Sequence, residues 1–332
     1  MKETFGIVIP TYGRPDNLKR TLQALFQCET GEIPLPIPVV IVDDGSTPPI
    51  EPLLKAVEPP PAFSLTYLYQ SNAGPAAARN AGYKALDTDI VLFLDDDVSL
   101  ASDSLVKHYT FHTTLFKERC AVYYGESPPP DGPVVFHVSA SDNSSVKENS
   151  DFHLSFQGPA ITLQEHIASG HLSLRKSLFP ADELPYANNL KTPVAEEYEL
   201  AYRLHKRKVP IYKDSSNRGV HHIPPPTLGY FIHREYRHGM ALAEIMRKAP
   251  EVLELPPLPS LTRRHHPYRP ILEIAWILKA IIAHTGLYKL VSWLSRRFFP
   301  HTFSSDSAWV RLLTGAALMR GIKDGLIKFK SS

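Results

Sequence analysis

Residues 90–97 read Ile90-Val91-Leu92-Phe93-Leu94-Asp95-Asp96-Asp97: five consecutive apolar side chains followed at once by three acids. A short, uninterrupted apolar run of this kind reads as a fully buried strand, so the carboxylates stand at its carboxyl end. Adjacent acids near a dry interior stay ionised only if cations or strong hydrogen-bond donors compensate them. A divalent metal is the simplest compensator. All-oxygen ligands point to Mg²⁺ or Mn²⁺, and Mg²⁺ takes one or two carboxylates, leaving its other positions to water and substrate phosphates. The cluster therefore predicts a metal-bound, phosphorylated substrate.

Working outward, short apolar runs alternate with helical patterns over the first 120 or so residues. Phe5 to Ile9, Val39 to Val42, Leu65 to Tyr69 and Ile90 to Leu94 read as strands, whereas Asp16 to Gln27, Pro75 to Leu86 and Ser102 to Phe116 read as helices. This βαβ series predicts an α/β fold with a mostly parallel sheet flanked by helices. Three strands run into polar segments: Pro10-Thr11-Tyr12-Gly13-Arg14, Asp43-Asp44-Gly45-Ser46 and the acid cluster. In open α/β sheets ligands bind at the carboxyl ends of strands, so the three segments can share one crevice. Taken singly, each also has a structural explanation: Asp-Gly is a common turn, and Ser46 a common cap.

The composition is that of an ordinary globular protein, with 332 residues, 43% hydrophobic and 21% charged. Cys28 and Cys120 are the only cysteines and lack metal-ligand spacing, which argues against a disulfide framework. Met1-Lys2-Glu3-Thr4 leads directly into a strand-like segment without an apolar signal region, so the expected location is cytoplasmic. The net charge of +2 conceals an asymmetry: residues 261–332 carry 12 Lys and Arg against 3 Asp and Glu. Basic residues interleaved with Trp276, Tyr288, Trp293, Phe298 and Phe299 suit an interfacial amphipathic surface better than a nucleic-acid groove. Residues 268–330 are accordingly expected to contact the inner face of a membrane, or alternatively to pack on the catalytic domain or form a dimer contact. The apolar pattern from Ile271 to Ala283 is broken by Glu273 and Lys279, so it falls short of a membrane span.

Four segments in order resemble the inverting glycosyltransferases of family 2, which have a GT-A fold. They are Val8-Ile9-Pro10-Thr11-Tyr12 with Arg14; Val40-Ile41-Val42-Asp43-Asp44-Gly45-Ser46-Thr47; Asn72-Ala73-Gly74-Pro75-Ala76-Ala77-Ala78-Arg79-Asn80-Ala81-Gly82; and Phe93-Leu94-Asp95-Asp96-Asp97. Thinner matches continue through Gly170 to Lys176, Glu196 to Leu204, and Val220-His221-His222. The resemblance implies a GT-A domain over 1–245, with a nucleotide-sugar half (1–120) and an acceptor half (121–245), followed by a basic helical extension over 246–332. It further implies that Thr11 and Tyr12 line the nucleoside pocket, that Pro10 and Arg14 belong to the nucleotide-sugar site, and that Asp43 or Asp44 accepts a hydrogen bond from base or ribose. Arg79 would sit near the base or diphosphate. Asp95 and Asp97 would be the two acids of the D-x-D motif, Asp96 its variable middle residue, and Asp97, Asp95 and His221 the protein ligands of Mn²⁺ or Mg²⁺. Gly170 would floor the sugar site, where a missing Cβ lets backbone approach the donor.

Inversion by direct displacement needs a base within hydrogen-bond reach of the acceptor hydroxyl. Glu197 stands where the family usually has Asp, with Glu196 beside it, and is the expected base. The alternative is that both acids merely complement a helix dipole, worth about 0.3–1 kcal/mol. The resulting expectation is a metal-dependent transferase moving a hexose-type sugar from a nucleotide diphosphate, UDP by family frequency, to a hydroxyl of a glycan or lipid-linked acceptor. Two rivals remain: a sugar-nucleotide nucleotidyltransferase, for which Pro10 to Arg14 is a poor loop, and a non-catalytic sugar-nucleotide-binding assembly subunit.

Overall fold

The computed structural model describes residues 2–117, 120–127, 161–164, 167–223, 227–254 and 308–329, together with Ala283, Leu290 and Trp293. The chain divides into two compact units, the first taking the described residues up to Ile223 except 192–195, the second taking 192–195 and those from 227 onward.

The first unit is built on one nine-stranded sheet. In chain order its elements are β1 (Phe5–Thr11), α1 (Pro15–Leu25), β2 (Ile37–Asp43), α2 (Glu51–Lys55), β3 (Phe63–Tyr69), α3 (Pro75–Ala85), β4 (Ile90–Leu94), β5 (Val98–Leu100) and α4 (Ser104–Thr110), which a π turn at Phe111–Leu115 extends. Then come β6 (Val122–Glu126), β7 (Ile161–Gln164), β8 (His171–Arg175), α5 (Ala195–Lys206) and β9 (Ile211–His221). The strand order is β3-β2-β1-β4-β8-β6-β9-β5, and β7 pairs with β9. β3, β2, β1 and β4 are mutually parallel, as the βαβ pattern predicts; β8 then enters antiparallel beside β4 and the sheet becomes mixed.

Every residue of β1 and of β4 is buried, which is why both read as continuous apolar runs. Leu18, Leu22 and Leu25 of α1 pack into the core formed by Ile7, Ile9, Ile41, Leu92 and Leu94. On α3, Ala76, Ala78 and Gly82 are buried, and the closest approach is at Gly82, where an added Cβ would collide with Val8 Cγ1 and lie 3.2 Å from Val42 Cγ2.

Register then fixes which residues meet at the carboxyl edge. Thr11 is opposite Asp43, and Asp43 is opposite Tyr69. Leu94 is opposite His171, so Gly170 falls beside Asp95, whose N–H donates to the Gly170 carbonyl at 3.0 Å. Val98 is opposite His221, which brings the start of the following loop against Asp97: His222 N–H donates to the Asp97 carbonyl at 2.7 Å.

The second unit contains α6 (Leu228–Lys248) and α7 (Ala308–Lys328). Their seam buries Leu228, Ile232, Leu313 and Ala317, and Gly239, Gly321 and Gly325 lie where the helix backbones meet. With this packing α6 belongs to the second unit. The apolar pattern expected from Ile271 to Ala283 lies, except for Ala283, outside the described residues, as do most of the aromatic residues named with it. Among the described residues no helix is long and apolar enough to cross a membrane.

Replacing Gly82 with Ala should destabilise the protein despite the roughly 1 kcal/mol that Ala gains over Gly inside a helix. Overpacking against a β1 side chain costs about 1–3 kcal/mol, so urea unfolding should show a net loss. A variant as stable as the parent would show that α3 and β1 can separate at no cost.

Candidate active site

The three acids after β4 meet cations from three separate parts of the chain, with Arg14 shared between Asp96 and Asp97. Asp95 Oδ1 accepts from Arg79 Nη2 of α3 at 2.7 Å. Asp96 Oδ1 lies 2.8 Å from Arg14 Nη2, in the turn after β1. Asp97 Oδ2 accepts from Arg14 Nη1 at 2.5 Å, and its Oδ1 lies 3.2 Å from His221 Nε2 at the end of β9. The three carboxylates respond differently. Asp96 has no exposed surface, and burial, only partly offset by Arg14, pushes its pKa up to about 7. Burial also works to raise Asp97, but its hydrogen bonds and charge contacts with His221 and Arg14 prevail and hold it below the ordinary carboxylate range. In return, Asp97 outweighs the burial that would lower His221, and the imidazole pKa rises.

Arg79 is the hub of the site. Besides Asp95 it reaches Glu196 Oε1 with Nη1 at 3.0 Å, a residue 117 positions away in the first turn of α5. The ring of Tyr186 lies 5.4 Å from its guanidinium carbon. Asn80, next to Arg79 in the chain, fixes that ring's backbone: its Oδ1 accepts from Tyr186 N–H at 3.1 Å, and its Nδ2 donates to the Tyr186 carbonyl and Asn188 Oδ1, both at 2.7 Å.

Glu197 faces the same region by a second route. Its Oε1 accepts from Ser169 N–H at 2.7 Å, and Ser169 adjoins the Gly170 carbonyl that receives Asp95 N–H. An added Cβ on Gly170 would lie 2.5 Å from Asp95 Oδ2, so any larger residue here would have to displace that carboxylate. Burial first, and then the charge of Glu196, pushes the Glu197 pKa up to about 7; burial likewise raises that of Glu196, against the pull of Arg79. Farther along α5, the Glu199–Arg203 pair expected at i,i+4 forms at 2.5 Å.

The predicted nucleoside residues are distributed less evenly. Pro10 and Thr11 are buried at the end of β1, and Tyr12 is 56% exposed just beyond them. Asp43 and Asp44 are engaged with backbone. Asp43 accepts from Ser46 N–H at 2.8 Å, Ile50 N–H at 3.1 Å and the Tyr67 hydroxyl at 2.9 Å. Asp44 accepts from Gln70 Nε2 at 2.7 Å and from the N–H groups of Ala73 and Gly74, both at 2.9 Å. These two acids hold the loops after β2 and β3; the Ser46 hydroxyl also accepts from Gly13 N–H at 2.7 Å, tying the β2 loop to the β1 loop.

The expected metal ligands are therefore split. Asp97 and His221 are adjacent, while Asp95 is turned to Arg79, and among the described residues no group of three His, Cys, Asp or Glu side chains is arranged as a metal cage. Asp97 Oδ1 is buried and, among the described residues, faces the His221 imidazole at 3.2 Å without a well-aligned hydrogen bond. One carboxylate oxygen beside one imidazole fits a cation that takes few protein ligands and completes its shell with phosphate and water. Ser169, Tyr186 and Asn80 were not singled out from the sequence. Asn80 lies within the Asn72–Gly82 motif, but its grip on residues more than a hundred positions away leaves no local signal.

Residues 6–178 match the model of glycosyl transferase family 2. The chain belongs to this family. Among curated relatives it is 35% identical over 139 residues to the succinoglycan biosynthesis protein ExoW of Rhizobium meliloti, a match covering 41% of each chain. It is also 35% identical over 95 residues to validoxylamine A glucosyltransferase of Streptomyces hygroscopicus subsp. limoneus, covering 28% of this chain and 20% of that one. The chain thus spans less than half the length of either of these relatives. Among solved structures, the mannosyltransferase PcManGT from Pyrobaculum calidifontis, in complex with GDP-Man and Mn²⁺, superposes with a TM-score of 0.59 at 14% identity, covering 99% of this chain and 88% of that one. The GT-A fold expected from the four motifs is the fold of this family member.

The inward-facing Asp43 carries a pH signature. Burial works to raise its pKa, but the bonds from Ser46, Ile50 and Tyr67 outweigh it and hold the carboxyl below its ordinary value. A depressed native pKa stabilises the fold above the unfolded-state value and is lost as pH falls through the native one. Asp43→Asn should cost about 1–3 kcal/mol near neutral pH, and the gap from the parent should narrow below about pH 4. Equilibrium unfolding across that range checks this, and a gap independent of pH would contradict it.

Proposed function

We propose that this protein is an inverting, metal-dependent glycosyltransferase that moves a hexose-type sugar from a nucleotide diphosphate to an acceptor hydroxyl on a glycan or lipid-linked precursor. The observation that carries this reading is the joining of two acid groups across the sheet edge. Asp95 and Asp97 stand at the end of β4 where a donor diphosphate would lie, and Glu197 is tied to the same edge through Ser169 and Gly170. Family membership and the GDP-Man and Mn²⁺ of the mannosyltransferase of like fold support a sugar nucleotide as donor and a divalent cation as its companion.

In this reading Glu197 takes the proton of the acceptor hydroxyl as oxygen attacks the anomeric carbon and the bond to the diphosphate breaks. Its raised pKa suits a base that must collect a proton near neutral pH. Glu196 serves behind it, held by Arg79. Asp97 and His221 would hold Mn²⁺ or Mg²⁺, which when bound supplies Lewis-acid stabilisation of the leaving diphosphate. Arg14, about half exposed, pairs with Asp97 and can exchange that partner for an arriving anion. Tyr12, exposed at the rim, offers an aromatic face to a base. The basic residues of 268–330 support a peripheral position on the inner face of a membrane.

The test combines binding and turnover. With Mn²⁺ or Mg²⁺ and a panel of UDP-, GDP- and dTDP-sugars, the parent protein should gain thermal stability with one donor and release its sugar slowly to water. Asp97→Asn should abolish the metal-dependent gain. Glu197→Gln should keep it and lose turnover by about 10²–10⁴-fold, and the parent rate should fall as pH drops through about 7. Turnover at the parental rate in Glu197→Gln would remove this residue as the base, and no response to any donor would remove the function itself.

A further inference from the structure

We propose that Arg79 is a positioning residue that holds the acceptor-side acids Glu196 and Glu197 in register with the donor-side acid Asp95, and is not a ligand of the nucleotide. The inference rests on the transferase reading given above. From the sequence, Arg79 belongs near the base or diphosphate; the geometry assigns it differently. Its side chain is 6% exposed, and both terminal nitrogens are committed, one to Asp95 and one to Glu196. The remaining Nε is buried, so the group offers little surface to an arriving anion.

Three observations show how tightly the guanidinium is set. Tyr186 lies over it, and Phe93 of β4 packs edge-on against Tyr186 with ring centroids 5.2 Å apart. Asn80 clamps the Tyr186 backbone from both its N–H and its carbonyl side. Glu196 is 3% exposed at its side chain, and its Oε2 accepts no hydrogen bond among the described residues. Burying a cation between two acids costs desolvation that its attractions offset only in good geometry. Such an arrangement contributes orientation more than stability, and orientation is what a base beside a donor needs.

The coupling has two strands. One is ionic, from Asp95 through Arg79 to Glu196, whose neighbour in the first turn of α5 is Glu197. The other is backbone: Asp95 N–H to the Gly170 carbonyl, and Ser169 N–H to Glu197 Oε1. The charged and titratable groups facing the centre are thus Asp95, Glu196, Glu197 and the Tyr186 phenol. Lysine cannot replace the fork, because a single ammonium on a flexible stem does not span two carboxylates in fixed directions.

The variants are Arg79→Lys, Arg79→Met, and Arg79→Met with Glu196→Gln, the last removing one charge of each sign so that the more deeply buried of the two acids is not stranded by the loss of its cation. Each is measured with UDP-glucose and GDP-mannose in the presence of Mn²⁺, by thermal protection and by release of free sugar. If Arg79 positions the acids, KM and protection stay within about twofold of the parent. The turnover number should fall about a hundredfold, as for misplaced catalytic groups. In Arg79→Met the acid limb of the rate profile should also move to higher pH, since Glu197 loses a nearby cation. A large rise in KM with turnover unchanged would overturn the proposal by making Arg79 a diphosphate ligand, as would parental turnover in Arg79→Lys. A parent protein that neither binds nor hydrolyses any sugar nucleotide would instead overturn the functional reading, and this inference with it.

Discussion

Negative charge at the end of a buried strand must be compensated, and the site is organised by how this chain does so. β4 delivers Asp95, Asp96 and Asp97 to the sheet edge, and the cations come from three separated places: Arg14 after β1, Arg79 on α3 and His221 at the end of β9. Each of these residues reaches the cluster only when its own element, β1, α3 or β9, has docked. The parallel order of β1 beside β4 and the antiparallel pairing of β5 with β9 make that docking specific. The acids thus act as a meeting point for the first unit.

The cations differ in their freedom to change partners. The Arg14 side chain is 49% exposed and divides itself between two acids, so an arriving anion can compete for it. Arg79 is enclosed by Tyr186 and bound at both ends. This contrast separates an exchangeable half of the site, around Asp97, His221 and Arg14, from a fixed half, around Asp95, Arg79 and Glu196. Binding is suited to the first and alignment to the second. Asp43 and Asp44 extend the fixed half, since each uses its carboxylate to shape a loop at the same edge.

What could be read from the chain follows from the range of the interactions involved. β1 to β4, α1 and α3 are written in local periodicity, and their bounds differ by only a few residues from those expected, whereas the five-residue α2 is too short to carry a periodic signal. β5, β6, β8 and β9 are short or irregular strands whose places depend on pairing with distant partners, and β9 carries Asp214, Ser215, Ser216 and Asn217 within it, which hides its strand character. The convergence of Asp95, Asp97, Glu196, Glu197 and His221 on one edge was legible through the order of the motifs. That Arg79 bridges two of them was not, because a link between positions 79 and 196 leaves no local trace. Asp43 and Asp44 hold the loops after β2 and β3, a use that a sequence alone does not reveal because a loop acid and a ligand acid look alike in it.

The most direct test of this account is a crystal structure with Mn²⁺ and a nucleoside diphosphate, using anomalous scattering to locate the metal. The account predicts manganese against Asp97 and His221 with the diphosphate on its other side, Arg14 moved off Asp97, and Arg79 still bridging Asp95 and Glu196. An ion elsewhere, or Arg79 swung away from both acids onto the phosphates, would contradict it.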